Sequence, residues 1–289
     1  MAVFQICLIF AVSKQLSQTI KFIGDKKMEL KKIYQELGIS YLGSVAQSAK
    51  LRLSKNNGTM TYCIYLAPSD MSGYNVCPNS KYCRENCLNG SGNNKADIFA
   101  HGIENSKINK CRIKKTRLFY QNRALFMRIM IAEIQKYKDR AARLGYEFSV
   151  RINGTSDLSP LLFVNEDGKN ILELFSDVQF YDYTKVPTRI KLSQKYNNYF
   201  LVLSYNGHNW DECETFLKNG GNVAVVFYGD MPTNWRGWPV CDGNQYDMRY
   251  LDPRQHIVGL HYHKTASDYY ISHGKRTFKV PQNDFVVII

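Results

Sequence analysis

The chain has 289 residues, of which 44% are hydrophobic and 13% aromatic, and its 38 Lys and Arg outnumber 25 Asp and Glu, for a net charge of +13. This composition supplies enough apolar side chains for a sizeable core, which excludes an intrinsically disordered protein. The longest uncharged apolar stretch, residues 1–13, is shorter than the roughly 20 residues that span a bilayer, so no transmembrane helix is predicted.

The N-terminal residues read as a lead-in to the folded domain. Met28 begins a polar segment, and we interpret residues 1–27 as sequence upstream of the true start. Residues 1–57 are the lead-in, and residues 58–289 are predicted to form a single α/β domain.

Six short apolar segments bounded by Gly, Asn, Asp or Pro have the composition of buried strands. They lie at residues 59–66, 147–152, 178–183, 199–204, 223–228 and 256–261. Helical segments at 170–175 and 209–218 supply the crossovers that parallel strands need. The sequence therefore predicts a mainly parallel α/β fold, either a partial barrel or an open sheet, with its chemistry at the carboxyl ends of the strands.

Three of the eight cysteines have the spacing C-x5-C-x3-C in a loop predicted over residues 67–95: Cys77, Cys83 and Cys87. Three thiolates at this spacing can bind one metal centre. An iron–sulfur cluster would use these three and leave one iron open to another ligand. A structural zinc would take a fourth ligand from Cys111 or His101. Three reduced thiols without metal are the third interpretation.

The position of this loop, directly after the first predicted strand, resembles the layout of radical S-adenosylmethionine enzymes. Those enzymes usually show C-x3-C-x2-C with an aromatic residue before the last cysteine, where this chain has Asn86. The layout favours an iron–sulfur cluster, whereas the wider spacing argues against bound S-adenosylmethionine.

The positive charge is concentrated in residues 107–144, which apolar periodicity predicts to be one long helix. Residues 107–143 contain twelve Lys and Arg against two acids, so the segment carries +10 of the net +13. Such an excess attracts polyanions, and a nucleic acid or nucleotide is the predicted partner, although a solvated helix face is the alternative. The predicted contacts are Lys114, Lys115, Arg117, Arg123 and Arg128.

Polar side chains follow the predicted strands and would gather at one edge of a parallel sheet. Lys185 can bind a phosphate, or act as a base if burial lowers its pKa. Asp242 and Asp247 can serve a ribose, a metal or proton transfer, although Asp-Gly is also a common turn. The predicted catalytic residues are Lys185, Asp157, Asp242 and Asp247.

Several motifs, in their order along the chain, resemble the bacteriophage gene-product-88 family. They are NVCP at 75–78 with Cys83 and Cys87, VRI at 150–152, FYDYTK at 180–185, VCDGNQYDMRYLD at 240–252 and IVGL at 257–260. The resemblance implies a phage or mobile-element protein in a bacterial cytoplasm and names no activity. Together with the cysteine loop, it leads us to expect an iron–sulfur enzyme of radical or redox type acting on a nucleotide or nucleic acid. The alternatives are a nucleic-acid-binding protein with a structural zinc and a metal-free interaction factor.

Overall fold

The computed structural model describes residues 30–46, 51–52, 57–280 and 283–289. Residues 1–27, which we interpret as upstream sequence, lie outside this part. The chain divides into two compact units, Met1–Ser40 and Tyr41–Ile289. The described part of the first unit contains helix α1 (Leu30–Leu37), and all other elements below belong to the second.

The second unit is built on a ten-stranded, mainly parallel sheet within the described ranges. Its strands are β1 (Gly43–Ser44), β2 (Thr59–Ile64), β3 (Glu147–Arg151), β4 (Gln179–Thr184), β5 (Tyr199–Ser204), β6 (Asn222–Tyr228), β7 (Asn234–Trp235), β8 (Trp238–Asp242), β9 (Ile257–His261) and β12 (Val286–Ile288). They follow the order β1-β2-β3-β4-β5-β6-β9-β8-β7, and β12 pairs with β6. The predicted mainly parallel α/β fold is confirmed, and of its two predicted forms the open sheet is the one observed.

Two strand pairs within this sheet are antiparallel, β1 with β2 and β7 with β8. A separate antiparallel hairpin consists of β10 (Tyr269–Ser272) and β11 (Lys275–Phe278). Within the described ranges the second unit contains helices α2 (Gly92–His101), α3 (Lys107–Gln121), α4 (Arg123–Arg143), α5 (Ile171–Leu174), α6 (Ile190–Lys195) and α7 (Trp210–Lys218). None of the helices in the described ranges has the length and apolar character that a membrane span requires.

The basic segment is two helices rather than the single helix predicted over residues 107–144. Asn122 separates α3 from α4, with a φ of −145° and a ψ of 71° that lie outside the helical region. Its side chain accepts a hydrogen bond of 3.1 Å from the amide of Leu125 and so caps the start of α4. Apolar periodicity continues across the break, which is why the pattern alone did not reveal it.

The two faces of the sheet are covered differently. Successive side chains of a strand point to opposite faces. On one face, Glu133 of α4 accepts a hydrogen bond from Tyr62, and α7 packs against Leu203 of β5. On the other face, Tyr181 of β4 lies beneath Tyr250, with 5.5 Å between the ring centroids. The helices named here therefore cover the first face, and an irregular segment around Tyr250 covers the second.

Candidate functional site

The cysteine loop, residues 67–91, lies against the carboxyl ends of the parallel strands. The Asn79 side chain donates to the carbonyl of Lys185, directly after β4, at 2.7 Å. Asn86 donates to the hydroxyl of Tyr262, directly after β9, also at 2.7 Å. The loop therefore spans the edge from β4 to β9, where open α/β sheets bind their ligands.

Ser69 organises the first half of this loop. Its φ of 53° is left-handed, a conformation that few non-glycine residues adopt. Its carbonyl accepts from the amide of Val76 at 2.9 Å, and its own amide donates to the sulfur of Cys77 at 3.4 Å. Its hydroxyl lies 3.3 Å from that of Ser80, whose carbonyl accepts from the amide of Cys83 at 3.2 Å. These bonds hold the segments carrying the first two cysteines together.

The three cysteines of the loop lie within electrostatic range of one another. Burial raises the pKa of Cys77 to about 12, and the neighbouring Cys87 and Cys83 add to that increase. Burial also raises the pKa of Cys87, against the opposing influence of a backbone hydrogen bond and of the charges of Arg112 and Lys185. Cys77 and Cys87 are therefore protonated at neutral pH, and two cations lie within electrostatic range of Cys87.

The arrangement of possible metal ligands is less complete than the sequence pattern suggests. In the described part of the chain, no three His, Cys, Asp or Glu side chains are grouped so as to hold a metal ion. Cys111 lies on α3, within electrostatic range of Tyr41 and Lys115. His101 bonds to Asp97 at 3.0 Å. The metal site, with Cys111 as a ligand, stays a prediction.

Asp157 and Lys185 are brought together at the end of β4. The Asp157 carboxylate accepts from the Thr184 hydroxyl at 2.8 Å and from the Lys185 amide at 2.9 Å, and it pairs with Arg189. The Lys185 ammonium lies 5.1 Å from the ring centroid of Phe285. Asp157 is 9% exposed, so its role here is to fix the backbone that carries Lys185.

Asp247 forms a buried ion pair on the face of the sheet opposite the helices. Its two carboxylate oxygens lie 3.1 and 3.2 Å from a guanidinium nitrogen of Arg151, and the Tyr181 hydroxyl donates to it at 2.8 Å. Burial lowers the pKa of Arg151, but the combined charges of Asp247, Cys63 and two neighbouring tyrosines outweigh burial and leave that pKa well above its usual value. The Nε of Arg151 is buried and has no hydrogen-bond partner among the described residues.

Asp242, which the sequence groups with Asp247, has different surroundings. It is exposed at the end of β8 and accepts from the backbone and side-chain nitrogens of Asn244 at 2.8 and 2.7 Å. This is a local turn in which an aspartate bonds two residues ahead. Asp247 is instead 4% exposed and neutralised by Arg151.

Asp182 is a site residue that the sequence analysis missed. It lies within β4 and is 1% exposed. Its carboxylate accepts from the backbone and side-chain nitrogens of Asn153 at 2.9 and 3.1 Å, and from the Tyr199 hydroxyl at 3.4 Å. Burial raises the pKa of Asp182 to about 7, against the lowering effects of Arg151 and Asn153. The available signal was a carboxylate inside an otherwise apolar strand.

The predicted nucleic-acid contacts on α3 differ in their exposure. Lys115 is 3% exposed, and its ammonium donates to the carbonyl of Leu42 at 2.9 Å, so it is not presented to a partner at the surface. Burial lowers the pKa of Lys115 to about 8. Arg117 donates to the carbonyl of Ser72 in the cysteine loop at 3.1 Å, and Lys114 is exposed.

The two arginines on α4 also contact neighbouring loops. Arg123 donates to the carbonyl of Leu162 at 2.7 Å, and Arg128 pairs with Glu166 at 2.6 Å. Nucleic-acid binding by these helices stays a prediction, and several of the side chains proposed for it already hold loops in place.

Comparison with known protein families gives a match over most of the chain. The family model described as gene product 88 matches residues 41–277, which include the cysteine loop and the strands from β1 to β10. No curated protein and no solved structure matches the chain. The family match confirms the resemblance seen in the sequence motifs.

Proposed function

The chain belongs to the gene product 88 family, and we propose that it is an iron–sulfur enzyme with its cluster at Cys77, Cys83 and Cys87. Its substrate is a nucleotide or nucleic acid, and it acts in the cytoplasm of a bacterial host. The main support is the position of the cysteine loop, which bonds to the segments after β4 and β9. Catalytic groups of α/β enzymes lie at this edge.

The charges around the loop suit a centre held by thiolates. Iron–sulfur clusters bind through deprotonated cysteines, and a metal displaces the protons that burial retains on Cys77 and Cys87. Arg112 and Lys185 place positive charge near Cys87, which stabilises the anionic ligands. The proposal requires the sulfurs of all three cysteines to turn toward a common point when the cluster is inserted.

The chain's own side chains have separate roles in this proposal. Lys185 binds a phosphate of the substrate from the end of β4, and Asp157 positions it through the backbone bond at 2.9 Å. Asp247 keeps the buried Arg151 oriented through their ion pair. The exposed Asp242 is available to a ribose hydroxyl. The cluster, when bound, supplies electron transfer.

The free thiols support the proposed location in the cytoplasm. The seven cysteines that lie in the described ranges are free, although three of them share one loop. Free thiols in proximity persist in a reducing cytoplasm and tend to oxidise outside it. Thiol-ligated clusters also need such an environment to assemble.

Anaerobic purification of the whole chain tests the proposal. We expect brown protein that contains iron and sulfide and bleaches with dithionite. Colourless protein with bound zinc, lost in Cys111→Ser, would replace this proposal with the zinc alternative. Folded protein that takes up neither metal would leave only the metal-free interaction factor. Cys241→Ser, on β8, is the matched control and should retain the metal content of the wild type.

A further inference from the structure

The hairpin β10–β11 presents a basic and aromatic face to solvent. The register pairs Tyr270 with Thr277 and Ser272 with Lys275, so these four side chains share one face. The same alternation places Lys279 beside them. Tyr270 is 51% exposed, and Lys275 and Lys279 are exposed as well. One aromatic ring is thus accompanied by two ammonium groups on a regular surface.

Basic residues outnumber acids in the segment that carries the hairpin. Residues 261–280 contain four basic residues and one acid, Asp268. Asp268 is 6% exposed, and its oxygens accept from Asn86 at 3.0 Å and from Tyr262 at 2.6 Å. The acid is therefore directed into the protein, while Lys275 and Lys279 are exposed on the Tyr270 face. The four basic residues are Lys264, Lys275, Arg276 and Lys279.

The opposite side of the hairpin is anchored. Arg276 lies over the ring of Phe99 in α2, with 4.4 Å from its guanidinium carbon to the ring centroid, and donates to the Phe99 carbonyl at 3.0 Å. Tyr269 contacts the same ring at 5.4 Å between centroids, and Lys264 lies 4.2 Å from the centroid of Phe278. These contacts hold the hairpin against α2 and leave the Tyr270 face open to solvent.

We propose that the Tyr270 face binds single-stranded nucleic acid. Lys275 and Lys279 contact two phosphates of the strand, and a base stacks on the ring of Tyr270. Exposed aromatic rings favour single strands, because duplex bases already stack on each other. By contrast, Arg123 and Arg128 on α4 bond to a carbonyl and a carboxylate.

This inference rests on the proposed function in one respect, since it names the substrate class of the cysteine-loop site. The base of the hairpin joins that loop through Asn86, which donates to both Tyr262 and Asp268. A strand bound on the hairpin therefore lies beside the loop that carries Cys87. Binding itself requires no metal, so the two proposals can fail separately.

Fluorescence anisotropy tests the surface with labelled single-stranded DNA and RNA of about 20 nucleotides, longer than the usual site for one binding module, and with a DNA duplex of the same length. Each probe is titrated at several salt concentrations, with metal-loaded and with metal-free full-length protein. Lys275→Gln/Lys279→Gln removes two charges from the hairpin. The control Lys136→Gln/Arg140→Gln removes two exposed charges from α4. Tyr270→Ala removes the ring, and Tyr270→Phe restores a ring without the hydroxyl.

We expect the hairpin double variant to weaken binding about tenfold or more. The slope of the logarithm of the binding constant against the logarithm of the salt concentration should fall by about 1.4 in magnitude, since each phosphate contact on a single strand contributes about 0.7. Tyr270→Ala should weaken binding by about tenfold, a typical loss for one stacked base, with an unchanged slope, and Tyr270→Phe should bind like the wild type. The α4 control should change affinity by less than about threefold.

Three results would overturn the inference. The first is that the wild type binds neither single strand, and the second is that the hairpin and α4 double variants lose affinity equally. The third such result is that the wild type binds duplex as tightly as single strands. If the wild type binds single strands as expected but contains no iron, the enzyme proposal fails and the hairpin surface stands. If the wild type contains iron but binds no single strand, the hairpin proposal fails and the enzyme proposal stands.

Discussion

Replacing Asp182 by Asn removes a buried carboxyl whose pKa burial raises to about 7. In the unfolded chain the pKa of an aspartate is about 3.9. Between these two values the folded protein holds a proton that the unfolded chain releases. The protonated form therefore favours folding below pH 7, and that contribution is lost as the pH rises through the folded pKa.

The size of this effect follows from the two pKa values. Linkage gives a loss of about 3 kcal/mol in the free energy of unfolding between pH 5 and pH 8. A chain of this size shifts its Tm by about 2–4 °C for each kcal/mol. The asparagine side chain of the variant does not titrate, so the Tm of the wild type should fall by about 6–12 °C relative to Asp182→Asn over that pH range.

Circular dichroism melts of both proteins at pH 5, 6, 7 and 8 measure the difference. Asp177→Asn is the control, because the Asp177 carboxylate is 65% exposed and its hydrogen bond to Lys138 lowers its pKa. The Tm of that variant should differ from the Tm of the wild type by the same amount at every pH from 5 to 8. A constant difference for Asp182→Asn as well would refute the argument that burial keeps this carboxyl protonated.

Three further variants probe contacts at and around the site by urea unfolding. Asp247→Ala leaves Arg151 buried without its counter-charge and should cost about 3–5 kcal/mol; a cost below about 1 kcal/mol would mean that the pair is solvated. Arg128→Gln breaks the partly exposed pair with Glu166 and should cost no more than about 1 kcal/mol, so a larger loss would contradict its assignment as a surface contact. Asn122→Ala removes the cap of α4 and should cost about 0.5–2 kcal/mol, whereas no change would show that the cap adds nothing.

The core strands were predictable because each is a short local run of apolar residues between turn residues. The segment predicted at 199–204 is observed as Tyr199–Ser204, and the others agree within about two residues, the usual uncertainty of element ends. The hairpin β10–β11 was not predicted, because its side chains are largely exposed and Lys275–Phe278 has no apolar alternation. A strand of that kind forms through its partner and its contacts with α2, which the local sequence does not encode.

The site was predictable in position but not in its pairings. The sequence placed Asp157 and Lys185 at one edge, since both follow strands of a parallel sheet. The partner of Asp247 is 96 residues away, and no local pattern connects it to Arg151. Lys115 is a charged residue within its helix, and the sequence around it does not indicate that it is buried. Its buried ammonium donates to the carbonyl of Leu42, which is 73 residues away. Pairing across such separations is set by tertiary packing.

The most direct test of the central claim is the iron and sulfide content of anaerobically prepared protein, measured for the wild type and for single serine variants of the three loop cysteines. The proposal predicts bound iron and sulfide in the wild type. It predicts a marked loss of both in Cys77→Ser, Cys83→Ser and Cys87→Ser, and full retention in Cys241→Ser. Wild-type protein that folds and takes up neither iron nor sulfide, or three variants that match the wild type in both, would contradict it.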